Sequence, residues 1–232
     1  INESHRLYSI PMDFVFCYFR PNNRFPNRVF GGAVKNIRNP KECSLDAFAY
    51  LWFRKVLDNQ LRLNRPWHLT VARPQDLAEL KNAYEDSSGG LMLSALELEP
   101  KSDGVNDLSE EYQMLGFKRE RHLFALKNDN DLKAILVVNV SDVGLNLSDL
   151  TNSISVIIVD HADLSVETLY SAISDLSKKY ANNEIPVLIH PVSYAEDRSL
   201  PYDKQYNLWV LSMQYTDEYF RYLKRLLGRI KH

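Results

Sequence analysis

Two groups of polar side chains stand where the sequence predicts the ends of strands, which are usual places for residues that face a ligand. His190 ends the apolar run from Ile185 and is followed by Pro191. An imidazole has a pKa near neutrality, so it can act as a base toward an amine. The alternative is a hydrogen-bonded histidine that only caps the end of its strand.

The second group is basic. Arg119 and Arg121 alternate in a strand-like run, so their side chains share one face of the predicted strand, close to Lys118. Guanidinium groups bind phosphate oxygens in a bidentate fashion, and this pair can meet the phosphates of a cofactor. The alternative is a charged edge strand that resists aggregation.

Composition limits the class of protein. The chain has 232 residues, of which 45% are hydrophobic and 25% charged, and its formal net charge of −2 gives no overall attraction to nucleic acid or to an anionic membrane. No run approaches the roughly 18 apolar residues of a membrane span. Two cysteines do not make a disulfide framework, so we expect reduced thiols in a cytoplasmic protein. The six histidines are scattered, and we expect no metal site. The start at Ile1 suggests a domain upstream in the same chain.

The first 63 residues are predicted to be a β-rich segment. Residues 12–19 and 28–37 have the composition of strands, and the pair Gly31-Gly32 predicts a bulge or a close backbone approach in the second run. Residues 46–53 fit either a strand or a helix, and a helix over 45–63 is favoured because the apolar residues continue with helical spacing. Asn64-Arg65-Pro66 is the predicted boundary with a second region, 64–232.

The second region alternates between helices and strands, which predicts a mixed α/β sheet flanked by helices. Strands are predicted at 67–72, 122–127, 132–140, 154–160, 185–190 and 206–214, and helices at 74–88, 91–98, 108–115, 165–180 and 219–230. The last helix has an apolar face opposite Lys224, Arg225 and Arg229. We expect that face to dock on the core, and membrane association is the weaker alternative.

This order of elements over about residues 67–220 resembles the GNAT acyltransferase superfamily. In that family two helices precede an antiparallel hairpin, and a parallel pair of strands lies near the middle of the sheet. The stretches that carry the resemblance are Gly116-Phe117-Lys118-Arg119, residues 132–150 with Gly144-Leu145-Asn146-Leu147-Ser148, and residues 202–211. Residues 1–63 then represent either the remnant of a preceding lobe or an extension of the sheet.

The resemblance implies transfer of an acyl group from a thioester, such as acyl-CoA, to a small-molecule amine. Tyr206 would be the general acid for the departing thiolate, and His190 the base. Gly144, Asn146 and Ser148, together with Arg119 and Arg121, would hold the cofactor.

One departure from the family pattern supports a second hypothesis. The family binds the pyrophosphate of coenzyme A with an Arg/Gln-x-x-Gly-x-Gly/Ala loop at a helix N-terminus, where glycines and backbone N–H groups surround the anion. The loop before the predicted helix at Ser165, residues 160–164, has no glycine and two carboxylates, Asp160 and Asp163. The alternative loop, residues 141–146, has one glycine, Gly144, and no flanking arginine, so neither loop satisfies the pattern. The second hypothesis is therefore a non-catalytic GNAT-like module that binds a ligand or partner and regulates a larger protein.

Overall fold

The computed structural model describes residues 13–55, 61–100, 109–142 and 149–228, with every side chain except those of residues 86, 87 and 109–111. The strands are β1 (Phe14–Phe19), β2 (Cys43–Arg54), β3 (Trp67–Val71), β4 (Arg119–Asn128), β5 (Asp131–Ser141), β6 (Ile154–Ile158), β7 (Glu184–His190) and β8 (Lys204–Ser212). The helices are α1 (Arg24–Pro26), α2 (Gly32–Ile37), α3 (Pro74–Ser88), α4 (Leu91–Ala95), α5 (Ser109–Met114), α6 (Val166–Ser177), α7 (Val192–Asp197) and α8 (Thr216–Gly228). A π-helical turn, Asn27–Gly31, joins α1 to α2.

Strand pairing in the described residues is mostly antiparallel, with helices on the flanks, which confirms the predicted mixed α/β fold class. By their contacts, the residues form two compact units. The first unit takes in the described residues of 1–46, 84–98 and 206–232, and the second those of 47–83 and 99–205. Both units draw residues from before and after position 64. This division differs in kind from the predicted boundary at residue 63, which stays a prediction.

The sheet of the second unit follows the order β2, β7, β6, β5, β4, β3. Only β6 and β7 are parallel, which agrees with the predicted central parallel pair. The middle strands are apolar on both faces because both faces are covered, and residues 132–138 of β5 are all buried. Helix α6 closes one face with Leu169, Ala172, Ile173 and Leu176.

The first unit contains the antiparallel pair β1 and β8, helices α1 and α2, and the terminal helix α8. Its core joins aromatic and small residues: Phe19, Ala33, Cys43, Trp209, Leu211 and Tyr222. Trp209 Nε1 donates a hydrogen bond to Cys43 Sγ at 3.1 Å, and both cysteines are free. Helix α8 therefore docks on this core through its apolar face, as predicted.

Two predictions of local structure in the first 63 residues are wrong. The run 28–37 is helical, because Phe30, Ala33, Val34 and Ile37 pack on the first unit's core at helical spacing. Of the two predicted roles of the glycine pair, Gly32 serves the close approach: a Cβ there would lie 2.1 Å from Tyr222 Oη.

The second error concerns the predicted helix at 45–63. Its first ten residues belong to β2, which is apolar on both faces and rich in aromatic residues. Ala49, Leu51 and Phe53 point into the core of the second unit, which requires the two-residue period of a strand. The helical spacing depended on residues 56–61, of which 56–60 lie outside the described residues.

Helices α1 and α7 were not predicted, and the other remaining elements agree with prediction to within a few residues. The hairpin of β4 and β5 turns at Asp129, which adopts a left-handed φ of 52°. Gly116, with φ 77°, follows the end of α5 as a predicted helix stop. No helix among the described residues is long and apolar enough to cross a membrane.

Candidate functional site

The resemblance to the GNAT superfamily implies a site at the carboxyl ends of the parallel strands β6 and β7. Both strands lie within the second unit. Their register runs from Ile154 opposite Val187 to Ile157 opposite His190, the last residue of β7. The strands thus stay paired to the end of β7. A thioester that entered between two strands would need them to part, and the described pairs do not.

An ion pair occupies the loop between β6 and α6. Lys133 Nζ lies 2.6 Å from Asp160 Oδ2 and 3.7 Å from Asp163 Oδ2. The side chain of Lys133 is only 6% exposed. The hydrogen bond with Asp160 raises the pKa of Lys133, and the same bond, with one from the Ala162 backbone N–H, lowers the pKa of Asp160. Among the described residues, Lys133 is the only buried cation that contacts this loop, and Asp160 already neutralises its charge.

The N-terminus of α6 is also satisfied by the protein itself. Ser165 is the N-cap, and its Oγ accepts a hydrogen bond from Thr168 N at 3.1 Å. Asp160 Oδ1 accepts another from Ala162 N at 2.9 Å. Glu167 adds a carboxylate in the first turn, where it complements the helix dipole. These oxygens stand where an external anion would need free N–H groups.

Helix α7 holds the same loop from another side. Arg198 Nε donates to Leu164 O at 3.0 Å, a second guanidinium nitrogen donates to His161 O, and the guanidinium lies 4.3 Å from the centre of the Tyr194 ring. Tyr194 Oη donates to Leu164 O at 3.2 Å. The loop is therefore tied down by Lys133, Arg198 and Tyr194, none of which the sequence reasoning selected. A lysine inside the apolar strand 132–140 was the signal that could have found Lys133.

His190 is a buried histidine of the core. It is 6% exposed, its Nδ1 lies 3.0 Å from Ala47 O, and its ring centre lies 4.8 Å from that of Phe48. Burial lowers the pKa of His190 to about 4, and the contact with Ala47 opposes this only in part. The imidazole is neutral at pH 7 and is a weak base compared with an ordinary histidine.

Tyr206, the predicted general acid, is half-buried in β8. It belongs to the first unit, whereas His190 belongs to the second. The assignment of these two residues as an acid and base pair stays a prediction.

Two of the predicted phosphate-binding residues, Arg119 and Arg121, lie toward the other end of the second unit's sheet. Along the register, His190 aligns with Ile157, Ile135 and Ala125, while Arg119 and Arg121 stand four to six residues further along β4. At about 3.3 Å per residue, this is about 13 to 20 Å along the strand. Arg119 instead contacts Tyr112, whose Oη lies 3.1 Å from its Nη1. Gly144, Asn146 and Ser148 lie outside the described residues.

A polar cleft of about 640 Å³ lies at the start of β7, lined by Arg54, Lys55, Asn182, Asn183 and Glu184. Both of its cations are engaged within the protein, since Arg54 Nη2 lies 2.8 Å from Glu184 Oε1 and Lys55 Nζ donates to Tyr180 O. In the part of the chain that the structure describes, no three metal-ligating side chains come together.

No protein-family model matches this chain, and no curated protein does. Among solved structures, a conserved protein of unknown function from Staphylococcus epidermidis ATCC 12228 is 9% identical with a TM-score of 0.43, over 90% of this chain and 76% of that one. A GCN5-related N-acetyltransferase from Kribbella flavida is 8% identical with a TM-score of 0.40, over 91% of this chain and 71% of that one.

Proposed function

We propose that this chain is a non-catalytic GNAT-like module that binds a ligand or partner and regulates a larger protein. The ion pair between Lys133 and Asp160 is the observation that carries the proposal. It stands in the loop 160–164, one of the two loops where the family pattern could hold a pyrophosphate, and it pairs the Asp160 carboxylate with the nearby cation.

Electrostatics supports the same proposal. An anion near α6 would meet Asp160, Asp163 and Glu167, and like charges at short range repel. Arg198, a further cation at this loop, already donates to the carbonyls of Leu164 and His161. The N-terminus of α6 has fewer free N–H groups to donate to an anion than an uncapped helix has, because Thr168 N already donates to Ser165 Oγ.

The protonation state of His190 also favours a module without acyl-transfer chemistry. A general base works best when its pKa lies near the working pH. The pKa of His190, lowered to about 4 by burial, is far below neutrality. Its contacts with Ala47 and Phe48 are those of a packed core residue.

The acyltransferase hypothesis keeps one argument in its favour. The order of helices, hairpin and parallel pair is the order that the resemblance rests on. Under that hypothesis Tyr206 and His190 act as acid and base, and acyl-CoA is the donor.

Amide hydrogen exchange can decide whether coenzyme A binds at the loop. With 2 mM coenzyme A, we expect the amides of Ala162 and Thr168 to exchange at the rates seen without it, because both already donate to side chains. A saturable slowing of exchange confined to this loop and the first turn of α6 would contradict the proposal. Amides of β5 in the core provide the internal control, since their exchange reports only on global stability.

A further inference from the structure

The first unit has a basic cleft to which the proposed function assigns no role. It has a volume of about 390 Å³ and is lined by Asn36 and Ile37 from the end of α2 and by Glu218, Arg221, Lys224 and Arg225 from α8. We call it the basic cleft. All of its residues belong to the first unit.

The three cations stand on one face of α8, because positions 221, 224 and 225 are three and four residues apart. Arg221 forms an ion pair with a carboxylate of the cleft, with its Nη2 3.7 Å from Glu218 Oε1. Among the described residues, no carboxylate forms an ion pair with Lys224 or Arg225. A cleft with three cations and one carboxylate therefore has an uncompensated positive charge in a chain whose net charge is −2.

The position of α8 is fixed by its opposite face. Tyr222 is buried, Leu223 and Leu226 pack on the first unit's core, and Tyr222 Oη donates to Arg28 O. Tyr222, Leu223 and Leu226 are thus committed to the core of the protein. The basic face is what remains exposed, and it is held on a docked helix beside α2.

We propose that the basic cleft binds a phosphate-bearing ligand with at least two negative charges. Arginine presents a planar fork that matches phosphate oxygens, and lysine adds a point charge. The volume is at the low end of the range for small-ligand sites, about 300–1,000 Å³, which fits a diphosphate-sized group better than a long polyanion. The inference rests on the proposed function in one respect: it names the class of ligand that a non-catalytic module would sense.

Inorganic pyrophosphate is the probe for this site. Calorimetric titration of the full chain at low ionic strength is expected to give saturable binding of one equivalent. The double variant Lys224→Ala/Arg225→Ala is expected to weaken binding at least tenfold. A matched control, Arg62→Ala/Lys178→Ala, makes the same change in net charge with exposed residues of the second unit and is expected to bind as the parent does.

A second arm distinguishes a free phosphate compound from a lipid headgroup. Vesicles of phosphatidylcholine with about one quarter phosphatidylglycerol are compared with pure phosphatidylcholine in a flotation assay. Retention on the anionic vesicles that disappears in Lys224→Ala/Arg225→Ala, but not in the control, supports the same site with a headgroup as its ligand. If neither probe binds, or if binding is unchanged in the double variant, the proposal is overturned.

Coenzyme A separates this inference from the proposed function, because coenzyme A carries phosphates of its own. Thermal stabilisation by coenzyme A that is lost in Lys224→Ala/Arg225→Ala arises at the basic cleft and leaves the proposed function intact. Thermal stabilisation that persists in that variant, together with slowed amide hydrogen exchange at α6, would contradict the proposed function instead. Circular dichroism of each variant confirms that the exposed substitutions leave the fold unchanged.

Discussion

Lys133 extends its buried side chain from β5 to Asp160, and the ammonium nitrogen lies 2.6 Å from the carboxylate oxygen. The two partners differ in exposure, with side chains 6% and 46% exposed. A buried ammonium that loses its counter-charge cannot regain water, whereas a half-exposed carboxylate can. The pair therefore predicts unequal effects of removing either partner.

Asp160→Asn is expected to lower the free energy of unfolding by about 1–3 kcal/mol, because it leaves the buried ammonium with only the more distant Asp163. Lys133→Met is expected to cost less, since methionine fills the buried space and Asp160 can hydrate. Urea denaturation of both variants and of the double variant measures the difference and the coupling. Equal losses from the two single variants would show that the burial of Lys133 does not matter.

The pH dependence of the free energy of unfolding should contain a contribution from the protonation of His190. Burial lowers its pKa to about 4 in the folded state, against 6.5 for the ordinary group. The unfolded chain binds more protons between these values, so His190 contributes stability above pH 6.5 that is lost as the pH falls toward 4. The full effect is about 3 kcal/mol. His190→Gln should lose this component of the pH profile, whereas His161→Gln, at an exposed position, should keep it. A profile that is unchanged in His190→Gln would rule out the neutral buried imidazole.

Asp46 of the first unit should give the free energy of unfolding the opposite dependence on pH. Burial raises its pKa to about 6 from 3.8, and the hydrogen bond from Ser44 Oγ, at 2.9 Å, opposes this only in part. The folded state holds the proton more tightly, so stability is fully present below pH 3.8 and is lost as the pH rises through 6. Asp46→Asn removes this loss and should be more stable than the parent at pH 7, by up to about 3 kcal/mol.

Chemical denaturation of Asp46→Asn at pH 4 and pH 7 checks the sign. The gain over the parent should shrink at pH 4, where Asp46 is itself protonated. A variant that is less stable than the parent at pH 7 would mean that the carboxylate has a favourable partner in the folded state.

Gly32 is required by its contact with Tyr222. A Cβ at position 32 would lie 2.1 Å from Tyr222 Oη, which donates to Arg28 O, so the ring or the helix must move. Gly32→Ala is expected to destabilise by about 1–3 kcal/mol. Gly228→Ala, where a Cβ meets nothing within 4 Å, serves as the control and should change stability little. Equal melting temperatures for the two variants would contradict the close packing of α8.

The spacing of apolar residues was sufficient to predict most of the strands and helices. The hairpin of β4 and β5, the parallel pair of β6 and β7, and the capped helix α6 each have their pattern within one short segment. The run 28–37 and strand β2 did not follow prediction, because their aromatic and small residues fit either period. What decided between the periods was contact with distant residues, such as Tyr222 for Gly32.

The candidate site was less predictable than the fold. The acidic loop and its missing glycines were visible in the sequence, but the partner of Asp160 comes from a strand 27 residues earlier. The low pKa of His190 likewise depends on burial beside Phe48, which no local pattern gives. The resemblance grouped Arg119 and Arg121 with residues 144–148 as cofactor-binding residues, which stays a prediction, and the strand register sets the two arginines at the far end of the sheet from His190.

The most direct test of a non-catalytic module is thiol release from acetyl-CoA, measured with the full chain and a panel of primary amines. The account predicts a rate equal to that without protein, at every amine and between pH 6 and 9. A saturable rate above this background, lost in His190→Gln and Tyr206→Phe and retained in His161→Gln, would contradict it and establish an acyltransferase.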